Sequence, residues 1–354
     1  MKIKALSLLL ALTMVFSLAA CKKDGEEPSD ITAPSTSSGS ETADKTINPL
    51  TGLEMDPSAW GKRPAAIMVN NVAAAQSVQA GLTKADIIYE AYAEGGITRF
   101  VAVFKDVKNM PRVGSIRSAR YSHADLAMGH DAIYTHAGAN KSKAVPHMKE
   151  LGMDNFNLLS GRESNYGFRH KNGKASEHTL YTDGEKISEG YEKLGYRTTL
   201  KGEETAWQNF VSGDKEITPA GGACTSASVK MSGSYISNFK YNAQTKRYTR
   251  YNGQNVHKDY NTGEEVTFKN VLILKTTVTP FFANKAGGVV KTHLEGGEGF
   301  YVTNGAYMPI KWTKGAASNP IKITTTEGGT VDYNAGNTFV CLVNKENTVE
   351  IKAE

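Results

Sequence analysis

Three arginines stand in the most apolar, glycine-punctuated stretch of this chain. Arg99 lies in Glu94-Gly95-Gly96-Ile97-Thr98-Arg99-Phe100. Arg117 and Arg120 lie in Val113-Gly114-Ser115-Ile116-Arg117-Ser118-Ala119-Arg120. A buried guanidinium is rarely left without an anionic partner. A helical pattern starts near Ser118, and at i and i+3 Arg117 and Arg120 would face the same way. The free N–H groups and dipole of a helix start favour an anion there. Two guanidiniums added at that point predict a carboxylate or phosphate held bidentately. The competing expectation is internal pairing, since Asp86, Glu90, Glu94 and Asp125 are close in sequence.

Two further polar clusters follow. His136-Ala137-Gly138-Ala139-Asn140-Lys141 comes directly after a strand pattern, where loops of α/β sheets commonly build sites. Gly138 permits a tight turn, while His136, Asn140 and Lys141 offer donors. The other cluster is Phe168-Arg169-His170 with Glu177-His178-Thr179-Leu180-Tyr181. His136, His178 and Glu94 are the acid/base candidates. Asp86, Glu90, Arg169 and Tyr181 are supporting candidates. His123, His130, His147 and His170 read as hydrogen-bonded structural or surface residues. No metal is expected, because H-E-x-x-H, C-x-x-C and Asp-rich calcium loops are all absent. No cofactor is expected either, since no Walker loop occurs and two adjacent glycines make no nucleotide fingerprint. There is no G-x-S-x-G elbow.

The elements that must position these residues are short. Pro64 to Val69, Ile87 to Ala91, Ile97 to Phe104 and Ala132 to His136 are apolar runs that predict strands. Ile97 to Phe104 is apolar almost throughout, as a strand covered on both faces would be. Ser118 to Met128 predicts a helix. So does Asp183 to Leu194, with Ile187, Tyr191 and Leu194 on one face, Asp183 as cap and Gly195 as stop. Residues 47–210 therefore read as a mixed α/β layered domain. From about Val229 short alternating runs replace helical periodicity: Tyr235 to Tyr241, Arg247 to Tyr251, Asn270 to Thr277, Phe300 to Thr303, Ala306 to Trp312, Ile321 to Thr326 and Thr338 to Val343. Asn252-Gly253 and Asn304-Gly305 are hairpin dipeptides. Residues 211–354 thus read as a mostly antiparallel β domain. The expected class is α+β or α/β, in two parts.

The ends of the chain carry an address. Lys2 and Lys4 precede an uncharged, Leu-rich run from Ala5 to Ala20. A comfortable membrane span needs about 20 apolar residues, so this run reads as a secretory signal, 1–20. Leu18-Ala19-Ala20-Cys21 resembles the lipobox of bacterial lipoproteins. That resemblance implies cleavage before Cys21 and acylation, including palmitate, of its thiol. Two acyl chains anchor firmly where one does not. Residues 21–46 hold that cysteine and a polar, proline-containing stretch too poor in apolar residues to fold, hence a flexible tether. The expected location is the cell membrane, lipid-anchored on its extracytoplasmic face. Net charge is +5 over 354 residues, and no Lys/Arg block suggests nucleic acid. Cys224 and Cys341 could pair outside the cytosol or remain two separate buried thiols.

Several motifs together resemble one family. They are Asn48-Pro49-Leu50-Thr51-Gly52, Arg63 to Asn71, Gly81 to Glu90, Glu94 to Phe100, Gly114 to Arg120 and His136-Ala137-Gly138. The set is similar to the YerB-like lipoproteins, which are defined by a domain of unknown function (DUF3048). The resemblance runs from about Ile47 into the C-terminal β part. It implies a two-part protein and no established activity. Near His178 the family reads Ala-Pro-His-Asn-Leu-Tyr. This chain reads Ser176-Glu177-His178-Thr179-Leu180-Tyr181, keeping His178 and Tyr181 and losing the Pro and Asn. Thr98-Arg99-Phe100 followed by Ser115 to Arg120 also loosely resembles the LytR–CpsA–Psr phosphotransferases, which hold a polyprenyl pyrophosphate with arginines. Their Arg-Asp pairing is absent here.

Three functional expectations follow. The first is a membrane-anchored binding lipoprotein that holds an anionic, phosphate- or carboxylate-bearing envelope component on Arg99, Arg117 and Arg120. The second is an envelope phosphotransferase-like or hydrolytic enzyme using the same arginines with His136 or His178. The third is a scaffolding protein without a small-molecule site. The expected partners are membrane lipid, through acylated Cys21, and that envelope component; the sequence names no protein partner.

Overall fold

The run Ile97 to Phe104 does form a strand covered on both faces, and the rest of the fold is built around it. The computed structural model describes residues 46–282 and 288–353; the signal run, Cys21 and most of the tether lie outside them. In chain order the first elements are β1 (Ala65–Asn70), α1 (Ala73–Gln76), β2 (Ile87–Glu94), β3 (Ile97–Phe104) and β4 (Val113–Gly114). Next come α2 (Tyr121–Met128), β5 (Ile133–His136), α3 (Ala144–Glu150), β6 (Asn155–Asn157), β7 (Phe168–Arg169), β8 (Leu180–Thr182) and α4 (Gly184–Lys193). β1 pairs antiparallel with β3 and parallel with β5, and β5 pairs parallel with β6. The helix expected from Asp183 to Leu194 is α4. The Asp183 carboxylate accepts from the Lys186 N–H at 2.9 Å, and Gly195 follows with φ +74°.

The layering expected for the first half is not what forms. One 11-stranded sheet runs through both halves of the chain. The strand Thr338–Asn344 lies parallel to β2, with Ile87 opposite Thr338, and parallel to Asn270–Thr276 on its other side. Gly296–Thr303 and Ala306–Thr313 extend the sheet further. The molecule is mostly β, and its helices are too short to make a full layer. The reason lies in the burial pattern. β2, β3, Asn270–Thr276 and Thr338–Asn344 are buried almost throughout, so each needs strand neighbours and cover on both faces.

Side chains alternate across this sheet into two cores. Ile67, Val69, Phe100, Ala102, Ile273, Phe339 and Cys341 point one way. They meet a second, six-stranded sheet that includes Ser226–Lys230, Ile236–Asn242, Arg247–Asn252 and Val349–Lys352, through Val229, Phe239, Tyr248 and Phe268. Ile187 and Tyr191 of α4 pack on the same side. Ala66, Met68, Val101, Tyr134, Leu272 and Val340 point the other way, against α2, α3, Trp207 and Trp312. Cys224 and Cys341 are free and fully buried, so the two-thiol alternative holds. The hairpin at Asn304-Gly305 forms with both residues at positive φ, 48° and 74°, as that dipeptide predicts.

Candidate functional site

β1, β5 and β6 run parallel, so their C-terminal ends share one edge of the sheet. Asn70, His136 and Asn157 stand at these ends. The segment Ser115 to Ala119 is laid across them. Asn70 N–H donates to the Ser115 carbonyl at 2.9 Å, Arg117 N–H to Met68 at 2.9 Å, Ala137 N–H to Arg117 at 3.0 Å and Ala119 N–H to Gly138 at 2.9 Å. Gly138 turns the chain here with φ +72°, a conformation that costs other L-residues.

This path corrects one expectation. The helix begins at Tyr121, with Arg120 as an extended N-cap at φ −130° and ψ 158°, rather than at Ser118. In extended chain, residues three apart point to opposite sides. Arg117 and Arg120 accordingly diverge. Arg120 turns to Glu94, Nε to Oε2 at 2.5 Å and Nη2 to Oε1 at 2.7 Å. Arg99 joins the same carboxylate, Nη2 to Oε1 at 2.8 Å, and donates from Nη1 to the Ser118 carbonyl at 2.6 Å. Burial pushes the Glu94 pKa up, but the Arg120 hydrogen bond and both positive charges outweigh it and hold it below the usual range. Glu94 is thus an ionised clasp between β2, β3 and the start of α2. His123 lies buried beside it, pushed down to about 3 by burial and by the charges of Arg99 and Arg120, and is neutral.

Of the other acids near the arginines, none pairs with them. Asp86 accepts from the Lys105 N–H at 2.6 Å and from the Asn48 amide at 2.9 Å. Burial raises its pKa to about 6. Glu90 accepts from Thr98, at 2.7 Å, and from Ser237 of the second sheet, at 2.5 Å. Asp125 pairs with His147 at 2.6 Å.

Arg117 turns the other way, into a cavity of about 480 Å³ lined by Ser118, Leu159, Arg169, Ser176, Glu177 and Leu180 among others. Its Nη1 donates to the Glu177 carbonyl at 3.2 Å, and its buried Nε finds no partner. Arg169 is exposed on the same cavity, donating to the Ser176 carbonyl and to Thr179 Oγ1 at 3.3 Å. Among the described residues neither guanidinium has an ion pair. The structure therefore splits the three arginines, placing two on Glu94 and one, with Arg169 as a new neighbour, on an open cavity.

The histidines flank this edge with both ring nitrogens engaged. His178 Nδ1 lies 2.9 Å from the Asn70 amide nitrogen, whose oxygen partner accepts from Val72 N–H at 3.2 Å. That fixes Asn70 as donor and His178 Nδ1 as acceptor, so Nε2 carries the proton toward Glu177, 3.3 Å away. Tyr181 is a buried strut: its hydroxyl donates to Val78 at 2.8 Å and accepts from Asn172 at 2.9 Å. His136 donates from Nδ1 to the Gly138 carbonyl at 2.8 Å, and its Nε2 faces Asn155 at 3.2 Å. Burial lowers its pKa against these two hydrogen bonds. Asn140 spends its side chain on Lys143 N–H, 2.8 Å, and Ser142, 3.0 Å, shaping the turn into α3. Lys141 is exposed at the rim of a neighbouring cavity of about 620 Å³, beside His136. Among the described residues no three His, Cys, Asp or Glu side chains cluster as a metal site. Sequence reasoning missed Asn70 as the partner of His178, and Leu159. Asn70 ends one parallel strand and Leu159 comes two residues after another, and that position at strand C-termini is the usable signal.

Comparisons with known proteins agree on one family. Residues 50–197 match the "Protein of unknown function (DUF3048) N-terminal domain" and residues 227–340 match its C-terminal domain. The chain is 30% identical over 308 residues to the "Putative lipoprotein YerB" of Bacillus subtilis (strain 168), covering 86% of this chain and 88% of that one. The crystal structure of the YerB protein from Bacillus subtilis superposes with a TM-score of 0.72 at 26% identity, covering 86% of this chain and all of that one.

Proposed function

The chain belongs to the DUF3048 family, and on that footing we propose that it is a lipoprotein held by acylated Cys21 at the extracytoplasmic face of the cell membrane, where it binds an anionic envelope component. The ligand carries a phosphate or carboxylate, held by Arg117 and Arg169, with Lys141 on the neighbouring cavity. The observation that carries this is the pair of guanidiniums on one cavity without a carboxylate partner among the described residues. Planar forks beside an open cavity suit bidentate anion recognition. Arg99 and Arg120 support the site from behind by fixing the segment Ser118-Ala119 against Glu94. The anchor is supported by the lipobox-like Leu18-Ala19-Ala20-Cys21 and by the lipoprotein name of the relative. Among the described residues no helix is long and apolar enough to cross a membrane. A histidine enzyme is less favoured, because both ring nitrogens of His136 and His178 are already engaged.

Two measurements test this. Calorimetric titration of the folded part with inorganic phosphate and pyrophosphate should show binding that Arg117→Ala weakens about tenfold, the loss of one charge-assisted hydrogen bond. Equal affinity in both forms removes the arginine site. Cell fractionation should find the wild type with membranes and Cys21→Ser displaced from lipid modification, read by mass; an unmodified Cys21 in the wild type removes the anchor.

A further inference from the structure

We infer that the ligand of this edge is an anionic amphiphile, with its charged head between Arg117 and Arg169 and an apolar chain laid past Leu159 over the start of α3. The inference rests on the anion reading above and adds the chemical class of the ligand.

Two cavities adjoin here. The arginine cavity and the larger one beside it are both lined by Leu159. Gly138 lines the larger cavity, and a Cβ there would lie 3.7 Å from Ser118 Oγ and 3.8 Å from Leu159 Cδ1, both on the arginine cavity. The second cavity is walled by Val145, Met148, Met153 and Leu159. Leu159 is 52% exposed and Val145 44%, two of the few large apolar side chains left at the surface among the described residues. The polar groups between them are already satisfied. His136 Nδ1 donates to the Gly138 carbonyl, and the Asn157 carboxamide oxygen accepts from Gly138 N–H at 2.8 Å. This wall offers apolar area and few free donors. An inorganic anion at the arginines would leave that area wet.

The two linings suit a single ligand across both cavities. The arginine cavity carries Arg117 and Arg169, and the second carries Val145, Met148 and Met153, with Lys141 and Lys149 also on its lining. An anionic head would meet the first and an apolar chain the second. Burying a methylene is worth roughly fourfold in affinity. Each added methylene should therefore tighten binding by about that factor until the second cavity is filled.

The folded part forms its own compact unit, and 86% of this chain matches the crystallised relative over that relative's whole length. That part can be titrated with inorganic phosphate and with butyl, hexyl and octyl phosphate below micelle formation, with octyl glucoside as uncharged control. The expected result is a rising series, octyl phosphate binding at least tenfold tighter than phosphate, and octyl glucoside binding weakly. Val145→Gln, on the second cavity only, should flatten the series and leave phosphate affinity unchanged; Arg117→Ala should weaken every member. Both side chains are partly exposed, so denaturation midpoints should confirm that the variants fold. A flat series with phosphate still bound overturns the amphiphile and leaves the anion site standing. No binding of any phosphate overturns both. Octyl glucoside binding as tightly as octyl phosphate overturns the charged head. Binding to phosphatidylglycerol vesicles without response to monomeric octyl phosphate places the contact on a bilayer surface and also overturns the inference.

Discussion

Replacing Arg250 with methionine should destabilise the protein by about 3–5 kcal/mol, the usual cost of stranding one partner of a buried pair. Arg250, 1% exposed, comes from the strand Arg247–Asn252 of the second sheet. Its Nη2 lies 3.5 Å from Glu90 Oε2 in β2, and it donates to Asn252 at 2.6 Å and Ser237 at 2.9 Å. The guanidinium carbon lies 4.9 Å from the centre of the Phe100 ring and 5.1 Å from that of Phe339, two rings that also pack edge-to-face on each other. A methionine fits this slot without leaving a large cavity, so the loss is mainly electrostatic. Glu90, also 1% exposed, would keep only neutral donors, Thr98, Ser237 and Asn71. Glu90→Gln combined with Arg250→Met removes both charges and should cost less than the sum of the single changes by about 1–3 kcal/mol. The exposed pair Lys193–Glu189 on α4 is the control, and Lys193→Ala should leave the unfolding midpoint nearly unchanged. Urea unfolding with a shared m-value reads all four differences. A cost below about 1 kcal/mol for Arg250→Met, or strict additivity of the double change, would refute this account of how the second sheet is held to the first.

Two other outcomes are expected. Asp86 is raised to about 6 by burial, against the Lys105 N–H and Asn48 hydrogen bonds. Its folded pKa exceeds its unfolded one, so its contribution is fully present below about pH 4 and is lost as pH rises through 6. Wild type should therefore fall relative to Asp86→Asn by roughly 1–2 kcal/mol between pH 4 and 7, allowing for the partial exposure of the residue; parallel stability profiles would contradict this. Cys224 and Cys341 are buried, with burial pushing both thiols up, to about 11 for Cys224. In the folded part, a thiol reagent should label neither before unfolding and both after it in guanidinium. Prompt labelling of the native protein would show that the core around Phe339 opens.

Much of the local structure was legible. The runs Ile97 to Phe104, Thr338 to Val343 and Arg247 to Tyr251 are strands close to where their apolar patterns end. The helix after Asp183 starts at its cap and stops at Gly195, because capping and left-handed turns are settled by adjacent residues. The candidate residues were legible as a set, their directions less so. Arg117, Arg169, His136, His178 and Lys141 were all singled out, and they converge on one sheet edge. The reading that Arg117 and Arg120 act together failed with the helix start, since two residues of extended chain reverse which side a side chain faces.

By itself the sequence determined which segments extend, which helix is capped and which residues carry charge. Tertiary structure alone decided that Thr338–Asn344 slots beside β2, joining both halves in one sheet, and that Glu94 takes Arg99 and Arg120 while Arg117 is left for the cavity. The physical reason is range. Caps, turns and strand periodicity act between neighbours along the chain, whereas strand partners and ion pairs are chosen by which buried groups meet in space.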